Sequence, residues 1–367
     1  MTIKKVAILT SGGDAPGLNG VIRAFVKSAT LEHGWDVVGV EDGYEGMLGT
    51  PKLIPLTGSS VRGLLGRGGT ILGSTNKGNF GWQKNAQGER YRNDAAYHEF
   101  VANAKAAGVD AVVVLGGDGS QSIANDLFEF GLPVVGVPKT IDNDLVGTDQ
   151  TFGFDTAIGV ATDALDRLHT TAESHDRVMV LEVMGRHAGW IALHAGLAGG
   201  VDAILIPEIP YDIDLVAKKI ADRDAAGALF SIIIVAEGAM PKDGGAVYQR
   251  EGLLGGIGYR VASELGSKTG KDTRAVVLGH LQRGGSPTPI DRILASRYGV
   301  GAAWAIAQGR FGQLVALQND HLVTIPLLEC ANKIKPVPVD GQLVRAVRSL
   351  GISFGDNEHA VDDEMKA

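Results

Sequence analysis

Short apolar runs alternate with longer amphipathic stretches along most of the chain. Runs rich in β-branched residues predict strands at residues 5–9, 36–40, 111–115, 133–137, 178–183, 202–206 and 230–236. Apolar residues at helical spacing mark several stretches between them, including 18–33, 95–107, 156–172 and 215–226. Strands that are apolar throughout and alternate with helices are typical of parallel sheets covered on both faces. The pattern therefore predicts an α/β fold.

One stretch breaks the alternation. Residues 66–92 are rich in glycine and asparagine and show no clear period. A segment of this kind is predicted to be a long loop or an irregular hairpin, and long loops are often functional.

Length and composition indicate a soluble protein of two lobes. The 367 residues exceed what one small core holds, since domains mostly contain about 100–200 residues. With 44% hydrophobic and 21% charged residues, the composition is that of an ordinary globular protein. No apolar run approaches the roughly 18 residues of a membrane span, and the first residues lack the apolar core of a secretion signal. These features predict a cytoplasmic protein without a membrane partner.

Charge and cysteine content exclude further classes. A formal net charge of -8 argues against a dedicated nucleic-acid binder, which needs a surplus of Lys and Arg. It is compatible with an anionic small substrate held by local arginines. The single cysteine, Cys330, excludes an intrachain disulfide and is expected to be a small buried hydrophobe.

Three turns rich in glycine or in polar residues follow three of the predicted strands. They are SGGDAPG (11–17), LGGDGS (115–120) and VPKTIDND (137–144). Ligands of open α/β sheets bind at the carboxyl ends of the strands. The three turns therefore predict one shared site.

The LGGDGS turn is suited to phosphate. Its glycines allow backbone N–H groups to approach a ligand, and a helix predicted to begin near Ser120 offers its positive end to an anion. Asp118 would repel phosphate unless a divalent cation lay between them, which makes it a candidate Mg²⁺ ligand. A simple helix cap is the alternative. The chain contains neither G-x-x-x-x-G-K-[ST] nor G-x-G-x-x-G, so the usual NTPase and dinucleotide motifs are absent.

Two carboxylates and one cation share the next turn. Asp142 and Asp144 are two residues apart and would project the same way from an extended segment. Such a pair suits a general base, or contact with a metal and a hydroxyl group. A turn rich in Asn and Asp is the alternative, but Lys139 nearby favours an anionic ligand.

Basic residues stand at the ends of later elements. Bidentate hydrogen bonds from arginine hold phosphate well, and the candidates are Arg177, Arg186, Arg274 and Arg283. His187 is expected to pack at the start of a helix rather than to catalyse.

The motifs SGGDAPGLN, DGYEGM, GGTILGS, GGDGS, PKTIDND, MGRHAGW, AEG and GHLQRGG, in this order, resemble the phosphofructokinase family over residues 5–308. The resemblance implies two doubly wound α/β lobes with largely parallel sheets and an active site in the cleft between them. Residues 1–153 with about 282–335 would form the donor lobe. Residues 154–281 with the C-terminal segment would form the sugar-phosphate lobe.

The resemblance also implies a reaction, the transfer of a phosphoryl group to the 1-hydroxyl of fructose 6-phosphate. Asp142 looks like the base, with Thr140 and Asp144 beside it, and Arg186 would stabilise the transferring group. The positions that match sugar-phosphate contacts are Met184, Gly185, Glu237, His280 and Arg283. Arg177 and Arg274 match arginines supplied by a neighbouring subunit, which implies a homo-oligomer, a tetramer or a dimer. The donor and Mg²⁺ site is matched by Gly13, Gly117, Asp118, Gly119 and Ser120.

Two markers of the phosphoryl donor disagree. In the family that the chain resembles, a glycine at the position of Gly119 leaves room for the α-phosphate of ATP, whereas a lysine at the position of Lys139 is usual in enzymes that use pyrophosphate. Asn76 stands where ATP enzymes have an arginine, and Lys77 is the candidate replacement for that donor contact. We weight Gly119 more heavily and expect ATP, with pyrophosphate as the alternative. An NAD or lipid kinase that shares GGDGS, and a sugar-phosphate sensor that has lost catalysis, are more distant alternatives.

Overall fold

The structure is a computed structural model that describes residues 2–75, 78–85, 88–245, 247–250 and 253–357. The strands are Lys5–Thr10 (β1), Asp36–Val40 (β2), Leu53–Leu56 (β3), Trp82–Lys84 (β4), Arg90–Arg92 (β5), Ala111–Gly116 (β6), Val134–Pro138 (β7), Val178–Val183 (β8), Ala203–Leu205 (β9), Ser231–Ala236 (β10), Tyr248–Arg250 (β11), Leu253–Leu254 (β12), Thr273–Val277 (β13), Gln313–Gln318 (β14) and His321–Pro326 (β15). The α-helices are Leu18–Glu32 (α1), Asp94–Ala106 (α2), Asp118–Glu129 (α3), Phe154–Glu173 (α4), Trp190–Ala198 (α5), Ile213–Ala225 (α6), Ile257–Thr269 (α7), Pro289–Ala307 (α8), Leu327–Cys330 (α9) and Gln342–Ser349 (α10). Short 3-10 helices lie at Gly43–Met47, Leu64–Gly66 and Gly279–Arg283.

The chain divides into two compact units. The first contains Met1–Ile141, Leu145–Thr156 and Arg283–Ile334. The second contains Asp142–Asp144, Ala157–Gln282 and Lys335–Ala367. The roles expected of the two lobes, donor binding and sugar-phosphate binding, stay predictions.

The first unit is built on a seven-stranded sheet in the order β15-β14-β7-β6-β1-β2-β3. The five central strands are parallel, whereas β15 and β3 pair antiparallel at the edges. This arrangement places the carboxyl ends of β1, β6 and β7 side by side.

Both faces of this sheet are buried, which explains its continuous apolar strands. Val6 and Ile8 of β1 belong to one core, which α1 and α8 cover, whereas Ala7 and Leu9 belong to another, which α2 and α3 cover. Successive side chains of a strand point to opposite faces, so a strand covered on both sides is expected to be apolar on both faces.

The second unit is built on a four-stranded parallel sheet in the order β13-β8-β10-β9. Alternate residues of β8 and β10, such as Val178 and Ile233, pack with Val216 of α6 and Val261 of α7 into one core. The α/β class and the largely parallel sheets expected from the sequence are confirmed.

The seven strands predicted from apolar runs are all present, with shifts of at most one residue at either end. The seven runs do not include β3, β11, β12, β13, β14 or β15. Residues 66–92 contain an antiparallel pair, β4 with β5, so the irregular hairpin is confirmed among the described residues of that stretch.

Cys330 is fully buried, and its thiol donates a hydrogen bond to the carbonyl oxygen of Leu327 over 3.2 Å. Burial raises the pKa of the thiol to about 12. Cys330 is therefore the buried residue that the sequence predicts. In the residues that the structure describes, no helix is both long and apolar enough to cross a membrane.

Candidate active site

The three predicted turns meet at one edge of the seven-stranded sheet. Ser11, just after β1, donates its backbone N–H to the carbonyl oxygen of Leu115 in β6 over 2.9 Å. Lys139, just after β7, donates its backbone N–H to the carbonyl oxygen of Gly116 over 3.0 Å. The sheet hydrogen bonds therefore continue past the strand ends and hold the turns together.

Side chains add to these backbone contacts. The hydroxyl of Ser120 donates to the hydroxyl of Ser11 over 3.0 Å, and both residues are buried. The phenol of Tyr44 donates to the carbonyl oxygen of Ser120 over 2.7 Å. The buried Lys139 donates from Nζ to the carbonyl oxygen of Gly13. Four of the predicted donor residues, Gly13, Gly117, Ser120 and Lys139, thus lie on adjoining turns.

The helix after LGGDGS begins earlier than predicted. Helix α3 starts at Asp118, with Gly117 as its N-cap and no side-chain cap hydrogen bond there, so the expected start near Ser120 is wrong. The half-buried carboxylate of Asp118 lies in the first turn, at the positive end of the helix.

Gly119 is exposed, and a Cβ atom added there would meet no described atom within 4 Å. Its backbone also lies outside the left-handed region. The fold itself therefore does not require glycine at this position, in contrast to Gly116, where an added Cβ atom would lie 2.2 Å from that of Ser120.

The acidic residues of this part of the molecule fit a magnesium ion that is held largely by its substrate. Among the described residues, no group of three or more His, Cys, Asp or Glu side chains could hold a metal ion by itself. Mg²⁺ is commonly bound by one or two carboxylates together with substrate phosphates and water. A single carboxylate, Asp118, at the helix terminus suits that mode of binding.

Arg283, predicted to contact the sugar phosphate, lies in the first unit beside the turn after β1. Its Nη1 donates to the carbonyl oxygen of Asp14 over 3.0 Å. A Cβ atom added to Gly13 would lie 2.8 Å from the same Nη1. The guanidinium therefore packs directly on the backbone of Gly13.

The TIDND segment is not extended as expected. Asn143 is buried and has φ 51°, in the left-handed region, so the chain bends between Asp142 and Asp144. The extended segment from which both carboxylates were expected to project the same way is therefore interrupted at Asn143. Thr140, Asp142 and Asp144 are all half-buried. The predicted donor residue Lys77 and its neighbour Asn76 lie outside the described residues.

In the second unit, the MGR turn continues β8. The carboxamide Oε1 of Gln282 accepts a 2.7 Å hydrogen bond from the backbone N–H of Met184. Gly185 has φ 140°, which L-residues with a side chain rarely adopt, and Glu237 donates its backbone N–H to Val183 over 2.9 Å. The turn presents Arg186 with an exposed side chain.

A cavity of about 350 Å³ in the second unit is lined in part by Arg186, His187 and Glu208. His187 is exposed and α5 begins only at Trp190, so the expectation that His187 packs at a helix start is wrong. Glu208 accepts backbone hydrogen bonds from Gly189 and, over 2.8 Å, from Val337. Burial raises the pKa of its carboxyl group. His280, on the 3-10 helix after β13, is also exposed.

Arg177 and Arg274 lie at the amino ends of the strands of the four-stranded sheet, whereas the MGR turn lies at the carboxyl ends. They flank the starts of the adjacent strands β8 and β13, and both pair with Asp272, Arg177 over 2.7 Å. The Arg177 guanidinium, aided by Arg274, holds the pKa of that carboxyl below its usual range. About 20 Å of strand separates Arg177 from Met184, at roughly 3.3 Å per residue.

The comparisons with known proteins agree with this geometry. The family model described as Phosphofructokinase matches residues 5–306. This chain belongs to the phosphofructokinase family. It is 58% identical over 353 residues to a protein of Chloroflexus aggregans named ATP-dependent 6-phosphofructokinase, with 96% of this chain and 98% of that protein covered. It is 47% identical to a protein of Streptomyces coelicolor named pyrophosphate–fructose 6-phosphate 1-phosphotransferase, over 96% of this chain and all of that protein.

Solved structures of the family share the fold. Phosphofructokinase from Saccharomyces cerevisiae superposes with a TM-score of 0.77 at 34% identity, and the match covers 89% of this chain and 45% of the yeast chain. A pyrophosphate-dependent phosphofructokinase from Marinobacter aquaeolei superposes with a TM-score of 0.79 at 23% identity over 99% of both chains.

Sequence reasoning missed residues that shape this family's site in the present chain. Gln121, fully buried, donates from Nε2 to the carbonyl oxygens of Gly116 (2.9 Å) and Val137 (3.0 Å), which ties the ends of β6 and β7. Gln282 performs a similar task at the end of β8. Both stand inside or directly after quoted motifs, GGDGS and GHLQRGG, which was the available signal.

Proposed function

We propose that this phosphofructokinase family member transfers the γ-phosphoryl group of MgATP to the 1-hydroxyl of fructose 6-phosphate, and so acts as an ATP-dependent 6-phosphofructokinase of glycolysis. The observation that carries the choice of donor is the open space around Gly119 at the positive end of α3. A glycine that the fold does not require is explained if the ligand requires it, because a side chain there would project into the donor's space. Relatives named as ATP enzymes at 57–58% identity support the same donor.

The chain's own residues would divide the reaction between them. Backbone N–H groups around Gly13, Gly117 and Gly119, with Ser120, would hold the donor phosphates, and Lys77 and Lys139 would add positive charge. Asp118 would hold Mg²⁺, which would neutralise charge on the donor's phosphates when bound.

The acceptor side is proposed as follows. Asp142 accepts the proton of the 1-hydroxyl, with Thr140 and Asp144 placing the sugar, and Arg186 stabilises negative charge on the transferring phosphoryl group. The sugar phosphate is held by Met184, Gly185, Glu237, His280 and Arg283. Catalysis of this kind depends on positioning and electrostatics more than on covalent chemistry.

Arg177 and Arg274 are proposed to complete the site of a neighbouring subunit. Their position supports this assignment, because they share Asp272 at the sheet edge opposite Met184. We therefore propose a homo-oligomer, a tetramer or a dimer, that works in the cytoplasm with fructose 6-phosphate and ATP as its small-molecule substrates.

A pyrophosphate-dependent enzyme is the second candidate, and Lys139 is the observation that favours it. Its ammonium lies on the turns proposed to hold the donor, where it could neutralise a compact anion. Relatives named as pyrophosphate enzymes at 47–48% identity belong to the same family.

One coupled assay separates the two donors. Purified protein is given fructose 6-phosphate and Mg²⁺ with either ATP or pyrophosphate, and formation of fructose 1,6-bisphosphate is followed. We expect turnover with ATP. Turnover with pyrophosphate alone would overturn the choice of donor, and a parallel reaction with NAD as acceptor checks the NAD kinase alternative.

A further inference from the structure

Gln282 takes over the hydrogen bonding of the second sheet at the point where its strands end. β13 and β8 pair in parallel as far as Val277 and Glu182, and Leu278 still donates its backbone N–H to Glu182 over 3.1 Å. Beyond that point the 3-10 helix turns the backbone away from β8. The backbone N–H of Met184 is satisfied instead by the Gln282 side chain over 2.7 Å.

On the other side, the MGR turn contacts the backbone that follows β10. Gly238, which follows β10, donates its N–H to the carbonyl oxygen of Gly185 over 3.1 Å. A Cβ atom on Gly238 would lie 2.1 Å from the carbonyl oxygen of Arg186, so the two backbones are in direct contact. The turn is thus clamped from both sides, and Gln282 is the clamp on the β13 side.

The Gln282 carboxamide is not optimised for stability. Its side chain is fully buried, and Nε2 finds no hydrogen-bond partner among the described residues. The amide cannot be reversed without loss, because Nε2 would then face the N–H of Met184, donor against donor. An unsatisfied buried donor is unfavourable for folding, so the benefit of glutamine here lies in what Oε1 holds.

We propose that Gln282 is a positioning residue for the acceptor site. It acts through Met184 and fixes the Met184–Arg186 turn in the geometry that binds the sugar phosphate and the transferring phosphoryl group. This inference rests on the proposed function of that turn. Because its side chain is fully buried, Gln282 would act through this turn and not by direct contact with substrate.

Two substitutions at this position separate positioning from stability. Gln282→Met keeps the length of the side chain but removes both the acceptor for Met184 and the unsatisfied donor. We expect its melting temperature to stay near that of the wild type, because the cost of leaving the Met184 N–H without an acceptor is offset by removal of the buried, unpaired Nε2 donor. We expect kcat/KM for fructose 6-phosphate to fall about 10–100-fold, since small misplacements of binding groups have effects of this size, while KM for ATP stays unchanged.

Gln282→Glu gives the opposite pattern. It keeps an oxygen for Met184 but buries a carboxyl group, so we expect a lower melting temperature and a KM for fructose 6-phosphate closer to the wild-type value. Leu281→Ala is the matched control, because Leu281 lies on the same 3-10 helix and its side chain is 69% exposed. For Leu281→Ala, kcat/KM for fructose 6-phosphate and KM for ATP should both stay at wild-type values.

The outcomes distinguish this inference from the proposed function. If the wild-type protein had no activity on fructose 6-phosphate, both the proposed function and the positioning role of Gln282 would be contradicted. Active wild-type protein, with a Gln282→Met variant that keeps kcat/KM for fructose 6-phosphate, would overturn the positioning role alone. The role would equally be overturned if Gln282→Met lowered the melting temperature and weakened ATP and sugar phosphate alike.

Discussion

The ammonium group of Lys139 donates a hydrogen bond to the carbonyl oxygen of Gly13, which ties the turn after β7 to the turn after β1. The lysine beside the TIDND carboxylates therefore shapes the proposed donor site as well as lending it charge. Lys139 is compatible with ATP as the donor, because its ammonium group also forms a hydrogen bond within the protein and need not serve only to neutralise pyrophosphate.

Lys139→Met should weaken donor binding. A hydrogen bond from a charged group contributes about 1.5–3 kcal/mol, so we expect KM for ATP to rise about tenfold or more. Steady-state kinetics with ATP varied at saturating fructose 6-phosphate measure this. Lys105→Met, at an exposed position of α2, is the control. An unchanged KM for ATP would contradict a role for Lys139 in the donor site.

Gly119→Asp should depress the use of ATP while the protein remains folded. A Cβ atom at this position meets no described atom within 4 Å, and the added carboxylate would repel a phosphate at the helix terminus. We expect kcat/KM for ATP to fall about 100-fold or more, by analogy with the loss of other well-placed electrostatic contacts. For Gly119→Ala, which adds bulk without charge, the decrease in kcat/KM for ATP should be much smaller. Equal ATP kinetics for Gly119→Asp and the wild type would refute the argument from exclusion.

Asp142→Ser should lower turnover by about 10²–10⁴-fold, the usual contribution of a general base. KM for fructose 6-phosphate should change far less, because the proton is accepted during the chemical step. Asp36→Ser, an exposed position at the start of β2, serves as control. Near-normal turnover would remove Asp142 from the role of base.

Hybrid oligomers test the assignment of Arg177 and Arg274. The double variant Arg177→Ala with Arg274→Ala and the variant Asp142→Ser should each be nearly inactive alone. Subunits of the two kinds, assembled together and carrying different affinity tags, should regain activity, since an Asp142 from one subunit can meet intact arginines from the other. Mixed oligomers that form but stay inactive would show that the arginines act within their own subunit.

Asp291 should give the stability of the protein a specific pH dependence. Its buried carboxylate accepts hydrogen bonds from Gly153 and Thr156, yet burial raises its pKa in the folded state. A raised folded pKa means that the carboxyl group stabilises the fold most below the unfolded pKa, at about pH 4. This contribution is lost as pH rises through the folded pKa.

Asp291→Asn removes that titration. It also places an amide donor against backbone donors, which costs roughly 1–3 kcal/mol. We expect the melting temperature of the variant to lie below that of the wild type, by a difference that shrinks between about pH 4 and neutral pH. Asp166→Asn, an exposed change on α4, should show no such trend. A difference that grows with pH would contradict the raised pKa.

Much of the fold was predictable because burial on both faces leaves a local trace. The run 111–115 is apolar at every position and the run 178–183 at every position except Glu182, and both became central or inner strands of largely parallel sheets. The edge strands β3 and β15 were not predicted, because β3 has only four residues and contains Pro55, and β15 has the polar residues His321 and Thr324 among its apolar ones. The turn residues of the proposed site were predictable because they directly follow those strands.

The local sequence did not predict features that depend on the conformation of single backbone residues or on partners distant in the chain. Nothing in the spacing of Asp142 and Asp144 reveals that Asn143 adopts a left-handed conformation between them. Helix α3 begins at Asp118, directly after Gly117, which is the last residue with an extended backbone. The serines at 120 and 122 suggested a start near Ser120, two residues too late.

By itself, the sequence determined the α/β class and the phosphofructokinase family, because short motifs in fixed order and apolar runs are properties of the chain alone. The tertiary structure decided which of the motif residues act on one another. Gln282 holds Met184 across 98 residues, and Arg177 shares Asp272 across 95. Such pairs depend on the order and register of strands in a sheet, which are set by packing of the whole unit and leave no periodic signal in the sequence.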